Sequence, residues 1–373
     1  MHVTIHDIAN ACHVSTATVS RALNNKPGVS AEIRELVIKS AKELGYIPDS
    51  TARSMRSRHR DCVYFVIRSG NDDEPFFMLP SHEAIESRLG VEVRIHTVSI
   101  QEDLIEDLSR IEGMYAPLLF IFVGPCLAEA SGFSELSAPL LFIATDDAPA
   151  GYFQIMSDDA LGGEGVTDSL INAGHQRIEV VTDSADGTRI NYRDRITGYR
   201  KSLDKHGIKF DPSIVHAITI DYSDYLASSE QEVRSRILPM LQYSAHTEQS
   251  PTAIFVLSDF LALTVMKVLW NAGLQVPRDI SIAGFGGWTL TKYTPITIHT
   301  WVQPVPDILE AAMIAISCIL QSKPFPKTLA LPTKHPDGSY GTAVAVTPTK
   351  YIIPGYMRNG QSMAPLKAID KPR

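Results

Sequence analysis

At 373 residues the chain is too long for one small core, and two or three domains are expected. The hydrophobic content of 44% is ordinary for a globular protein, and the longest apolar runs, 117–123 and 139–144, fall far short of the ~20 residues of a membrane helix, so both predict buried strands. The net charge of −8 is unevenly spread. Residues 1–60 hold nine Lys/Arg against five Asp/Glu, while the remainder holds 25 against 37. A basic head on an acidic body predicts that contact with nucleic acid is confined to the first sixty residues.

Thr4 to Arg21 mixes polar and apolar residues at helical period, which does not read as a leader, so a cytoplasmic location is expected. Thr4 can cap a first helix in which Ile5, Ile8, Ala9 and Cys12 form one buried stripe. Ser15 can cap a second helix with Val19, Ala22 and Leu23 inward. Ser30 can cap a third, in which Ile33, Val37, Ile38, Ala41 and Leu44 close the core before Gly45 and Pro48 end it. This is the outline of a helix-turn-helix whose second helix enters a DNA major groove.

From residue 63 apolar strands alternate with amphipathic helices. Strands are predicted at 63–67, 91–98, 118–123, 140–144, 178–182, 214–220, 253–257 and 280–284. Alternating β and α predicts parallel sheets covered on both faces. There are too many strands for one compact sheet, so two α/β lobes are expected, with a ligand at the strands' carboxyl ends between them. The four cysteines, Cys12, Cys62, Cys126 and Cys318, have no metal-ligand spacing and are expected as free thiols. No metal or cofactor is expected. The absence of a Gly-x-Ser-x-Gly elbow or P-loop argues against an enzyme.

Three linked motifs, Thr4-Ile5-x-Asp7-Ile8-Ala9, Val14-Ser15-x-Ala17-Thr18-Val19-Ser20-Arg21-x-Leu23-Asn24 and Leu44-Gly45-Tyr46-x-Pro48, resemble the headpiece of the LacI/GalR family of bacterial transcription regulators. The body resembles the same family, and through it the type I periplasmic-binding-protein fold. The matching stretches include Ser157-Asp158-Asp159 before Gly162-Gly163, Arg195-x-x-Gly198-Tyr199 and Val302-Gln303-Pro304. The resemblance runs from about residue 3 to about 358. It implies a helix-turn-helix headpiece over 1–48, a hinge helix or linker over 49–60, a two-lobed effector-binding and dimerisation domain over 61–358, and a disordered tail over 359–373. In that fold the chain crosses between lobes three times, expected here near 157–160, 286–298 and 321–326.

The resemblance places Thr16, Ala17 and Arg21 at base-facing positions. Arg21 can donate two hydrogen bonds to a guanine edge. Ser15, Thr18, Ser20 and Asn24 can bond phosphates, which fixes register without reading sequence, although Ser15 as a cap alone stays open. In the hinge, Met55 stands at the place of the family's minor-groove wedge, usually Leu, flanked by Arg53 and Arg56. Implied effector contacts are Phe76, Asp159, Arg189, Asn191, Arg195, Tyr222 and Trp288. For Arg195 an internal salt bridge is the alternative, and for Phe76 and Tyr222 it is packing in a lobe core.

Two departures from the family stand out. Gly284-Phe285-Gly286-Gly287-Trp288 replaces Gly-Tyr/Phe-Asp-Asp, whose first carboxylate accepts ligand hydroxyls, and Ser258 replaces Asn. Either Trp288, Asp259 or Asp159 takes over that role, or the effector is something other than a standard sugar. Residues 332–348 read as a loop-rich insertion.

The function implied is a homodimeric repressor of a near-palindromic operator in double-stranded DNA, gated by a small sugar-like effector and without a membrane partner. The alternative is a solute-binding protein whose body is the whole function.

Overall fold

The computed structural model describes residues 5–23, 28–43, 62–69, 82–99, 102–124, 132–145, 148–149, 151–183, 190–221, 224–244, 250–335, 338 and 340–366. The chain separates into two compact units, Met1–His59 and Arg60–Arg373.

The first unit holds α1 (Ile5–Ala11), α2 (Thr16–Leu23) and α3 (Ala31–Glu43). Ile8, Ala9, Cys12, Val19, Ala22, Val37 and Ala41 form its core. The Ser15 hydroxyl accepts the Thr18 amide at 3.1 Å and caps α2, and Ser30 accepts the Ile33 amide at 3.4 Å before α3. One core assignment fails. Ile38 is 50% exposed, because Ile33, Val37 and Ala41 recur every fourth residue along the inner face and Ile38 is turned about 100° from Val37. Leu44 lies outside the described residues.

The second unit has two sheets. The first lobe contains β1 (Cys62–Ser69), α4 (His82–Leu89), β2 (Glu92–Ser99), α5 (Leu104–Tyr115), β3 (Leu119–Val123), β4 (Leu140–Ile143) and β5 (Phe153–Ser157). The chain then builds a second lobe from α6 (Asp159–Asn172), β6 (Ile178–Thr182), α7 (Ile190–Lys205), β7 (Val215–Ala217), α8 (Tyr225–Glu232), α9 (Leu238–Ser244), β8 (Ala253–Val256), α10 (Asp259–Asn271), β9 (Ser281–Gly286) and β10 (His299–Val302). It returns to the first with α11 (Val305–Leu320), β11 (Thr328–Lys334), β12 (Tyr340–Thr347) and β13 (Lys350–Ile353), and ends in the second with β14 (Tyr356–Arg358).

The first sheet runs β11-β12-β13-β5-β4-β3-β1-β2 and the second β14-β10-β9-β8-β6-β7. Pairing is parallel except at β11/β12, β12/β13 and β10/β14. Alternate residues of β1 feed opposite faces, Val63 and Phe65 into one core and Cys62, Tyr64 and Val66 into the other. Burial on both faces is why such strands read as continuous apolar runs.

All eight predicted strands are present. The first crossing falls at 157–159 as expected, but the other two do not. The second is at Gln303-Pro304, between β10 and α11, and the segment 286–298 stays within the second lobe. The third is at Pro354-Gly355, between β13 and β14, and 321–326 merely joins α11 to β11. The supposed loop at 332–348 is largely β11 and β12. Nor is the tail disordered from residue 359. Through Leu366 it packs on the second lobe, where the buried Ser362 hydroxyl donates to the Ile282 carbonyl at 2.6 Å and accepts from the His299 amide at 2.8 Å. Residues 367–373 lie outside the described residues.

Candidate functional site

In the headpiece, α2 buries Val19 and Ala22 and turns Arg21 outward in its last turn. Thr16 opens the helix half-buried, and Ser15 is exposed with its hydroxyl 2.9 Å from that of Thr18. Ala17 and Ser20 lie on α2 by backbone. Asn24, Arg53, Met55 and Arg56 lie outside the described residues. The described side chains therefore include an exposed forked cation at Arg21, an exposed hydroxyl at Ser15 and half-buried ones at Thr16 and Thr18, groups of the kind that can bond a guanine edge or a phosphate.

In the body, the residues that the structure brings together meet at the junction of the lobes. Arg195 and Asp159 are both nearly fully buried. Arg195 donates from Nε at 2.9 Å and from a terminal nitrogen at 2.8 Å to Asp159 Oδ2, and from its other terminal nitrogen to the Leu257 carbonyl. Its guanidinium carbon lies over Phe285, 3.9 Å from the ring centroid. The second oxygen of Asp159 serves the crossings. Ser157 donates to Oδ1, and the Gln303 amide donates to the same oxygen at 3.2 Å and to the Ser157 hydroxyl at 3.1 Å. One carboxylate thus ties α7 of the second lobe to two of the three inter-lobe strands. The alternative for Arg195, an internal salt bridge, is present.

The glycines of the matching motifs build this geometry. A Cβ at Gly163 would stand 2.1 Å from the Arg195 carbonyl, and one at Gly198 would stand 2.0 Å from that of Ala160. Bare Cα atoms let α6 and α7 touch backbone to backbone, which sets Arg195 opposite Asp159.

The altered loop has its own logic. Gly286 has φ +127°, and a Cβ there would lie 2.7 Å from the Trp288 indole, which packs against Phe260 with centroids 5.2 Å apart. The indole occupies the space the family's aspartate needs. Asp259 does not replace that carboxylate. It is fully buried, Oδ2 accepts the Gly287 and Trp288 amides at 2.7 and 3.0 Å, and Oδ1 accepts the Thr300 hydroxyl at 2.7 Å. Burial pushes its carboxyl above the usual range. Asp259 shapes the loop, and Trp288, half-buried, is the side chain left at its surface.

Phe76, Arg189 and Tyr222 lie outside the described residues, and only the backbone of Asn191, in the first turn of α7, is described. Ser157 and Gln303 are the site residues that sequence reasoning missed, although both sit in the matching motifs. Cys12, Cys62 and Cys318 are free thiols, and Cys126 lies outside the described residues. Among the described residues no group of three or more His, Cys, Asp or Glu is placed to hold a metal, and no helix is long and apolar enough to cross a membrane.

Comparison with known proteins agrees with both halves. Residues 4–49 match the family described as bacterial regulatory proteins, lacI family, and residues 167–335 match a periplasmic binding protein-like domain. The ribose operon repressor of Haemophilus influenzae is 26% identical over 351 residues, spanning 91% of this chain and 95% of that protein. The transcriptional repressor CytR of Escherichia coli is 28% identical over 323 residues, 84% and 88% of the two chains. Among solved structures, the lac repressor dimer bound to operator and the anti-inducer ONPF shares the fold with a TM-score of 0.64 at 20% identity, over 98% of this chain and 100% of that one. These relatives are transcription repressors and not enzymes. A lacI-family helix-turn-helix headpiece followed by a periplasmic-binding-protein-like α/β body, each matched in its place, gives this chain the domain pair of the LacI-family repressors it is similar to.

Proposed function

We propose that the protein is a cytoplasmic, homodimeric repressor that binds a near-palindromic operator and is gated by a small sugar-like effector. The observation that carries the reading is α2, capped by Ser15 and presenting Arg21 outward on a three-helix core. Thr16, Ala17 and Arg21 read base edges, and Ser15, Thr18, Ser20 and Asn24 hold phosphates. Met55 wedges the minor groove between Arg53 and Arg56. Three reading positions per headpiece give few contacts, so specificity requires two headpieces on a two-fold site. A relative whose printed description is a repressor dimer bound to operator supports this arrangement.

The effector enters between the lobes against Arg195, Asp159 and Trp288, with Phe76, Arg189, Asn191 and Tyr222 completing the site. Asp159 cancels the charge of Arg195, so the site suits neutral hydroxyls better than a phosphate, in keeping with a relative named for the ribose operon. Because Asp159 also holds Ser157 and Gln303, drawing Arg195 toward a ligand changes the bonds at two crossings. The lobe angle then selects whether the two hinges can pair on DNA.

The test is a footprint on the region upstream of the protein's own operon. A protected two-fold site, with affinity that falls steeply with salt, is expected. Binding without sequence preference would overturn the reading. Arg21→Ala should cost about 1–3 kcal/mol and relax specificity at one position of each half-site.

A further inference from the structure

At the root of the β11–β12 hairpin, two buried polar atoms have no hydrogen-bond partner among the described residues, Oδ2 of Asp307 and Nε2 of His335. Asp307 is fully buried in the first turn of α11, and its other oxygen accepts the Thr333 amide at 2.9 Å. His335 follows β11, and its ring rests on that of Tyr356 with centroids 5.0 Å apart. Both orphan atoms converge on Gly341, where a Cβ would stand 2.9 Å from Asp307 Oδ2 and 3.4 Å from His335 Nε2. Asp307 and His335 belong to the first lobe. Tyr356 belongs to β14 of the second, just past the third crossing.

One imidazole therefore has two partners to choose from, an aromatic ring of the other lobe and a carboxylate of its own. The bare Cα of Gly341 leaves room on the side that Asp307 Oδ2, the Leu331 Cβ and His335 Nε2 all face. We propose that Asp307, His335 and Tyr356 form a proton-controlled latch between the lobes. Neutral His335 stays on Tyr356 and ties the hairpin to β14. Protonated His335 donates Nε2–H to Asp307 Oδ2, withdraws from Tyr356 and frees the third crossing.

Among the described residues, the charged groups nearest this pair are Lys334, Glu310 and Arg358. Lys334 ends β11 opposite Tyr340 of β12. Glu310, one turn further along α11, is held by Arg88. Arg358 on β14 is turned toward the Gly287 carbonyl and the Thr291 hydroxyl.

The test uses the full chain, with no DNA or effector. Histidine ring ¹⁵N spectra give the titration midpoint of His335. Hydrogen exchange, corrected for intrinsic rates, follows residues 354–358 at about one pH unit either side of the ordinary imidazole value of ~6.5. In the natural protein exchange at 354–358 should be several-fold faster on the acid side. Asp307→Asn keeps an oxygen for the Thr333 amide and should lower the midpoint by about one unit or more. His335→Phe keeps a ring on Tyr356 without a proton and should abolish the acid step. An unchanged midpoint in Asp307→Asn, or an acid step that survives in His335→Phe, overturns the latch.

Discussion

Arg195 and Asp159 show how a buried charge is tolerated and then put to use. A buried ion is costly unless paired and fully hydrogen-bonded, and here the guanidinium is shared between a carboxylate and a carbonyl above an aromatic ring. Arg195→Leu leaves Asp159 as an uncompensated buried anion. Urea unfolding should register a loss of about 3–5 kcal/mol, and the double substitution with Asp159→Leu should recover most of it. Arg195→Lys should not rescue, because a point charge cannot span Asp159 and Leu257 as the planar fork does. Gly286 carries a second residue-scale consequence. Restoring the family's carboxylate as Gly286→Asp forces an L side chain into φ +127° and against the Trp288 indole. The expected outcome is a lower melting temperature and a shifted tryptophan emission, not improved sugar binding. An unperturbed emission spectrum with gained affinity for a neutral sugar would show the indole to be movable.

Among elements, the α6–α7 crossing places the site, and it tolerates no side chain at its contact. Gly198→Val sets its Cβ 2.0 Å from the Ala160 carbonyl and 2.6 Å from the Glu164 amide, both backbone atoms that cannot swing aside. Overpacking of this kind costs about 1–3 kcal/mol or more, and it should lower the melting temperature and displace Arg195 together. The motif Arg195-x-x-Gly198-Tyr199 was legible in the sequence because both its arginine and its glycine do work at this one contact. The partnership with Asp159 was not, since no local pattern links residues 36 positions apart. The same division holds for the strands. Fully buried parallel strands such as β3 and β4 announce themselves as unbroken apolar runs. By contrast β11 alternates exposed and buried residues around Pro332, and β10 is four residues long, so both resemble loops until their partners are in place. The two misplaced crossings follow from that. With β10, β13 and β14 unseen, the Gly/Pro-bearing segments 286–298 and 321–326 looked like the connections between lobes.

For the molecule as a whole, the segment that follows β14 makes stability depend on pH. Residues 359–366 lie over the second lobe, and two fully buried histidines hold them. His175 contacts the Ala364 carbonyl through Nε2 at 3.1 Å and the Thr252 hydroxyl through Nδ1 at 2.9 Å. His299 reaches the Ser169 hydroxyl through Nε2 at 2.7 Å, while its Nδ1 accepts the Gly360 amide at 3.4 Å. That acceptor role fixes the neutral tautomer, because a proton on Nδ1 would face another donor. Burial accordingly pushes His299 down to about 4 and lowers His175 as well. Both groups bind protons more readily in the unfolded chain, whose imidazoles titrate near ~6.5. Stability is therefore complete above that value and falls as the pH drops through the interval down to about 4. At the acid end His299 alone accounts for about 3 kcal/mol, from ~1.4 kcal/mol per unit. Melting temperatures between neutral and acid pH should decline steeply in the natural protein and less steeply in His299→Gln. His335→Phe should keep the full decline, because its imidazole lies in the first lobe and takes no part in holding this segment. If His299→Gln falls as steeply as the natural protein, the tail is held by Ser362 and by the Leu366 amide on the Ala173 carbonyl, and the acid sensitivity has its origin elsewhere in the fold.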